Sequence, residues 1–198
     1  EKKKIELIYI DDLISILMKT IKRDYKKKLT IIKIKKISKV TVRQIYDKIS
    51  NFEDKRIKDK SVSSNKGFDA NLYSTYVSFL PKRKFSYLVK GNFSSTGSFT
   101  EFIKNKNLGQ ISILTVKPGS VRGNHYHHSK VEKFLIVSGK GKFEYKDVKD
   151  NKKTTILSSS AKLKVVETIP GSTHNIKNIG KKDLIAIIWS NQIYNKKK

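Results

Sequence analysis

Gly119, His125, His127, Glu132 and Gly139 stand at intervals that suit metal chemistry: two histidines one residue apart, a carboxylate five positions on, and a glycine at each end. About 35 residues later, Gly171-Ser-Thr-His174-Asn-Ile-Lys-Asn178 brings a third histidine. Neutral imidazoles are good ligands for divalent metals, and a carboxylate adds an anionic oxygen. Residues i and i+2 of an extended strand share a face, so His125 and His127 are expected to face one cavity while Tyr126 and His128 turn away. Glu132 opens an apolar run in phase with Phe134 and Ile136. That phase points its carboxylate inward, where only a cation or hydrogen bonds can offset its desolvation. His-x-His alone is a weak signal, since lone histidines are more often surface or packing residues. Here three of the chain's four histidines fit one pattern, with a glutamate at the matching position. Three nitrogens and one oxygen suit Zn, Fe(II), Mn, Ni or Co without selecting among them.

These side chains need a rigid frame, and the hydrophobic pattern supplies one. After about residue 91 the period is two, with short strands expected around 99–103, 110–116, 132–138, 142–147, 154–157, 163–168, 174–177 and 183–190. Turn residues such as Lys117-Pro118-Gly119 and Pro170-Gly171 separate them. Many short strands with regular turns indicate a sandwich or small barrel. The earlier residues differ. Ile10, Leu13, Ile14, Leu17, Met18 and Ile21 recur at helical spacing behind Asp11-Asp12, which predicts a helix over 11–24. Leu29 to Ile37 reads as a strand. Thr41-Val-Arg-Gln44 is a capping-box pattern opening a second helix, with Val42, Ile45, Ile49 and Phe52 on one face. Residues 56–66 read as a polar loop, 71–80 are aromatic-rich and ambiguous, and Pro81 to Lys84 reads as a boundary. The chain is therefore expected to divide into a mixed α/β piece, 1–90, and an all-β domain, 91–198.

Composition narrows the function classes. The chain has 198 residues, no cysteine and a net charge of +27. Disulfide and thiolate chemistry are excluded, and a cytoplasmic setting is expected. Only five of the 44 basic residues are arginine, and lysine is spread over every segment rather than gathered in a stripe. Without interleaved stacking aromatics, a solvated lysine coat is expected rather than a nucleic-acid surface. The longest apolar run, Leu184 to Trp189, is too short to span a membrane. The chain starts with Glu1 and ends on three lysines, and is expected to be a fragment of a longer protein.

The first histidine stretch resembles cupin motif one, G-x5-H-x-H-x4-E-x6-G, at every fixed position. The second resembles motif two, P-x-G-x2-H-x3-N, through Gly171, His174 and Asn178. It departs in having Ile169 where the proline falls, with Pro170 one place later. A closer resemblance covers nearly the whole chain. Gly97-Ser-Phe-Thr-Glu-Phe-Ile103, Gly123 to His128, Glu132 to Gly141 and Thr173 to Asn178 resemble one family. It comprises the bifunctional reductase/epimerases that make UDP-linked deoxy-aminosugars for bacterial capsule and O-antigen. In that family an extended short-chain dehydrogenase/reductase domain precedes a zinc cupin. Tyr9-Ile-Asp-Asp12, Val40 to Arg56 and Leu72 to Pro81 resemble the last part of such a reductase.

The resemblance implies a mainly β cupin, a double-stranded β-helix or jelly-roll barrel, preceded by a partial α/β segment of the reductase domain. It implies a homodimer and epimerisation at C3 of a UDP-4-keto-6-deoxy-N-acetylhexosamine. His125, His127, Glu132 and His174 are the expected ligands of a divalent metal, with zinc favoured because the reaction involves no redox change. His128, Tyr126, Lys133 and Glu101 are candidate proton carriers, each with a surface or packing role as the plain alternative. Arg122 is a candidate clamp for a UDP phosphate. No glycine-rich dinucleotide fingerprint occurs, and Tyr126-x-x-x-Lys130 has reductase spacing but falls inside the metal motif, a coincidence. NADPH binding is thus expected only of a longer protein. Two other classes fit the same cage: an Fe(II) cupin dioxygenase, and a non-catalytic cupin whose metal stabilises the barrel or aids sugar binding.

Overall fold

The computed structural model describes residues 3–23, 29, 31–57, 66–105 and 107–193. The chain forms two compact units, one comprising residues 1–58 and 63–85, the other 59–62 and 86–198. In the first, β1 (Lys4–Leu7) pairs antiparallel with β2 (Ser38–Thr41). The helices are α1 (Ile10–Ile21), α2 (Val42–Ile57) and α3 (Gly67–Ser78). The capping box forms as the sequence indicates. Gln44 N–H donates to Thr41 Oγ1 at 3.1 Å, and Thr41 N–H donates to Gln44 Oε1 at 2.8 Å. These bonds satisfy amide groups that a helix start leaves orphaned.

Three expectations change in this unit. Residues 31–37 form no regular element; the strand begins at Ser38, and Ile31 is exposed. The alternation of isoleucine and lysine there has no buried face to meet, so period two alone does not make a strand. The ambiguous segment 71–80 is mostly helix, because Tyr73 and Tyr76, one turn apart, both pack on Phe52 of α2 at 5.2 and 5.5 Å. Of the loop expected over 56–66, Arg56 and Ile57 close α2, and residues 58–65 lie outside the described residues. Residue 24, the expected end of the first helix, also lies outside them.

The second unit is a jelly roll of two antiparallel sheets. Its strands are β3 (Asn92–Ser94), β4 (Gly97–Asn105), β5 (Gly109–Val116), β6 (Val121–His125), β7 (Glu132–Ser138) and β8 (Lys140–Asp147). They continue with β9 (Lys153–Ser159), β10 (Val165–Thr168), β11 (Ser172–Asn178) and β12 (Leu184–Ser190). One sheet runs β10-β7-β12-β5-β4-β3 and the other β6-β11-β8-β9. Alternate residues of β7, β11 and β12 are buried, as a strand with one inward face requires. Leu114, Ile136, Val166 and Ile188 of one sheet meet Phe143 and Ile176 of the other in a single core. The Phe134 and Phe143 rings cross that core edge to face at 5.5 Å. Each such fully buried apolar side chain contributes about 1.5–3 kcal/mol relative to exposure.

Asn178, fully buried, fastens the end of the barrel. Its Nδ2 donates to the carbonyls of Val116 and Lys182, both at 2.8 Å, and its Oδ1 accepts from Gly180 N–H at 2.8 Å. This two-sheet barrel is the cupin fold. Among the described residues no helix is long and apolar enough to cross a membrane.

Candidate metal centre

Strand β6 carries His125 at its last residue, and His127 lies just past the strand end. The extended geometry expected across 125–127 therefore stops short, yet both rings arrive at one place. The local backbone explains how. Gly123 has φ +107° and Asn124 φ +61°, and the β6–β11 register shifts between His174 and Asn175. A Cβ on Gly123 would stand 2.8 Å from the His174 carbonyl oxygen, so only glycine allows this approach. Asn175 Nδ2 donates to Asn124 Oδ1 at 2.9 Å, and Gly171 N–H donates to the His127 carbonyl at 3.0 Å. The altered proline position of motif two leaves His174 opposite His125 in the ladder.

Glu132 opens β7 with its backbone N–H donating to Thr168 Oγ1 at 2.9 Å, and its side chain points inward. The His125 ring lies 4.8 Å from those of His127 and His174, which are 5.4 Å apart. Glu132 Oε2 faces His174 Nε2 at 3.4 Å and His127 Nε2 at 3.5 Å. Its other oxygen, Oε1, meets Lys130 Nζ at 2.5 Å. Both Nε2 atoms are buried and lack a hydrogen-bond partner. Buried orphaned polar atoms are costly, and a cation between them and Oε2 would satisfy all three.

The donor set fits a divalent metal. One donor atom from each of His125, His127, Glu132 and His174 lies within 4.8 Å of the others. Opposite ligands of one zinc stand at most about 4.2 Å apart, twice a bond of about 2.1 Å, so closure takes only a small inward movement. Protonation states suit it too. Burial lowers His125, although it is the most exposed of the four residues, and burial holds His127 down to about 4. Both rings are then neutral near pH 7 with lone pairs available. Burial alone would raise Glu132, but the His174 ring and the Lys130 ammonium outweigh it and hold the carboxyl at about 2. Because His174 Nε2 lacks hydrogen-bond geometry, its contribution is electrostatic contact.

The cluster lies in a cavity of about 690 Å³ with an apolar floor of Phe99, Leu114, Phe134 and Ile188. Glu101, Arg122, Tyr126 and Lys130 also line it. Tyr126, expected to turn away, is thus a cavity residue, because the chain leaves extended conformation at His125. His128 does turn away from the lining and meets the Tyr126 ring edge on at 5.1 Å. Lys133 points to the outer face of its sheet and pairs with Glu167. That corrects its placement among the proton carriers, since it follows Glu132 by one residue and takes the opposite face. Glu101 Oε2 pairs with Lys104 at 2.7 Å. Arg122 Nη1 donates to Ser94 Oγ at 2.8 Å and Thr96 Oγ1 at 3.4 Å.

Lys130 was missed by sequence reasoning as a site residue. Its only sequence signal was its place two positions before the inward glutamate, in a segment that forms no strand.

Comparison with known proteins agrees with this geometry. Residues 92–198 match the family model described as the polysaccharide biosynthesis C-terminal domain. A UDP-2-acetamido-2,6-beta-L-arabino-hexul-4-ose reductase of Pseudomonas aeruginosa is 33% identical over 193 residues, covering 98% of this chain and 52% of that protein. The crystal structure of the capsular polysaccharide assembling protein CapF from Staphylococcus aureus superposes with a TM-score of 0.91 at 36% identity. That match covers 100% of this chain and 54% of CapF. A CapF structure with the inhibitor 3-isopropenyl-tropolone matches at 37% identity and a TM-score of 0.91, over 100% of this chain and 57% of that one. This chain spans about half the length of these relatives. With the family model matching more than half of its residues and the cupin barrel beneath it, the chain belongs to the polysaccharide biosynthesis C-terminal domain family.

Proposed function

We propose that the barrel holds one divalent metal, zinc, through His125, His127, Glu132 and His174, and inverts C3 of a UDP-4-keto-6-deoxy-N-acetylhexosamine. The observation that carries this reading is the convergence of four donor atoms, two of them buried and unpartnered, on the wall of a sugar-sized cavity. The Pseudomonas relative, a reductase of a UDP-linked hexul-4-ose, supports the substrate class.

Held by these four side chains, zinc would supply a Lewis acid for the C4 keto oxygen and so acidify the neighbouring C3–H. The Glu101 carboxylate, turned into the cavity, accepts that proton, and the Tyr126 hydroxyl returns one to the opposite face. His128 packs edge on against the Tyr126 ring. Arg122, steadied by Ser94 and Thr96, offers its remaining guanidinium N–H groups to the diphosphate. The apolar floor receives the 6-deoxy methyl group and keeps water from the reacting carbons. NADPH-dependent reduction at C4 belongs, in this reading, to the half of the relatives' length that this chain does not span, the first unit being the tail of that reductase domain.

The outer face of the six-stranded sheet supports a homodimer in this reading. Val165, Leu135, Ile187 and Ile113 sit side by side across β10, β7, β12 and β5, and three of them are exposed apolar residues. Such a row is a surface to cover. The working place is the cytoplasm, where nucleotide sugars and NADPH are available.

The test is proton exchange. Metal-loaded protein and the UDP-4-keto sugar in deuterated water should place deuterium at C3, read by NMR. Protein that carries one equivalent of metal and leaves C3 fully protonated would defeat the epimerase assignment.

A further inference from the structure

Resting on the metal reading above, the geometry points to Lys130 as a positioning residue: it holds Glu132 Oε1 so that only Oε2 is presented to the metal, keeping a coordination position open. The two carboxylate oxygens have different surroundings. Oε2 faces the unpartnered Nε2 atoms of His127 and His174 at 3.5 and 3.4 Å. Oε1 is held by Lys130 Nζ at 2.5 Å, on a lysine side chain only 16% exposed.

Lysine is also fixed from behind. Val131 N–H donates to Asn191 Oδ1 at 3.0 Å, and Asn191 N–H donates to the Val131 carbonyl at 3.2 Å. These bonds tie the residue between Lys130 and Glu132 to the end of β12, so the ammonium is delivered to Oε1 by the backbone.

The consequence is a coordination count. Three imidazoles and a one-oxygen carboxylate fill four positions; a two-oxygen carboxylate fills a fifth and crowds out a substrate oxygen. Partners behind a ligand set its orientation and alter metal affinity by about 10–100-fold. The lysine also lines the cavity beside the donor cluster.

The experiment compares wild type, Lys130→Met and Lys130→Arg, each loaded with Co(II) and each checked for folding by circular dichroism. Lys130→Met keeps the length of the side chain and removes its charge and donors. It should bind one equivalent of Co(II) with weaker visible bands, the signature of a higher coordination number, and its zinc affinity should change by about 10-fold or more in chelator competition. Lys130→Arg should restore the wild-type spectrum. A folded Lys130→Met protein whose cobalt spectrum and zinc affinity match wild type would overturn the role of Lys130. Wild type that takes up no Co(II) would instead overturn the metal reading beneath it.

Discussion

Glu101 and Tyr126 both line the cavity, whereas His128 sits behind Tyr126 and Lys133 faces outward. Loss of a positioned proton carrier costs about 10²–10⁴ in rate. Glu101→Gln should therefore slow deuterium exchange at C3 by that factor with metal content unchanged, while Lys133→Gln should leave exchange within about three-fold, well short of that cost. Equal losses in the two variants would contradict the assignment. Acid should also weaken the metal-free protein. His125 is lowered by burial, and His127 is held at about 4 against 6.5 in an unfolded chain. Between those pH values the unfolded chain takes up protons that the folded state refuses, so stability falls as pH drops. Glu132, at about 2 against 4.5, adds a further loss below pH 4.5. Thermal melts of the metal-free protein should show Tm falling from about pH 7 to 4, and His127→Gln should flatten that slope. A Tm that rises on acidification would contradict histidines held neutral in the folded state.

At the scale of elements, the site depends on how β6 meets β11. Gly123→Ala would force a Cβ to 2.8 Å from the His174 carbonyl at φ +107°. Left-handed backbone strain of this kind costs about 1–3 kcal/mol. The variant should lose that much stability in urea unfolding and bind zinc more weakly, since His125 and His174 are ladder partners there. Unchanged affinity would separate the bulge from the site. Much of this was legible in advance. Glu132, Phe134 and Ile136 keep a strict period, and β7 buries all three. The capping box at Thr41 was legible because its chemistry is local. What escaped depended on partners distant in sequence. Residues 31–37 alternate like a strand, but no neighbour pairs with them among the described residues. Tyr73 and Tyr76 are weak helix formers whose helix is fixed by Phe52, some twenty residues earlier. β6 and β3 are short and contain glycine, asparagine or serine, so their pairing rather than their composition defines them. Tyr126 was misdirected by the same bulge that brings His125 and His127 together.

For the whole molecule, a net charge of +27 would favour encounter with the proposed anionic nucleotide sugar and sets copies of the chain to repel one another. Against that repulsion, the proposed dimer needs the apolar row centred on Ile187. Ile187→Lys should give a monomer in sedimentation velocity with the barrel still folded; a monomeric wild type would remove the dimer. Everything proposed about chemistry passes through one cation held by four side chains. The most direct measurement is inductively coupled plasma mass spectrometry of purified wild type beside Glu132→Gln. Wild type should carry close to one equivalent of zinc, and the variant should lose nearly all of it while keeping its fold. Metal-free wild type that also refuses added zinc, or a Glu132→Gln protein that retains a full equivalent, would contradict the account.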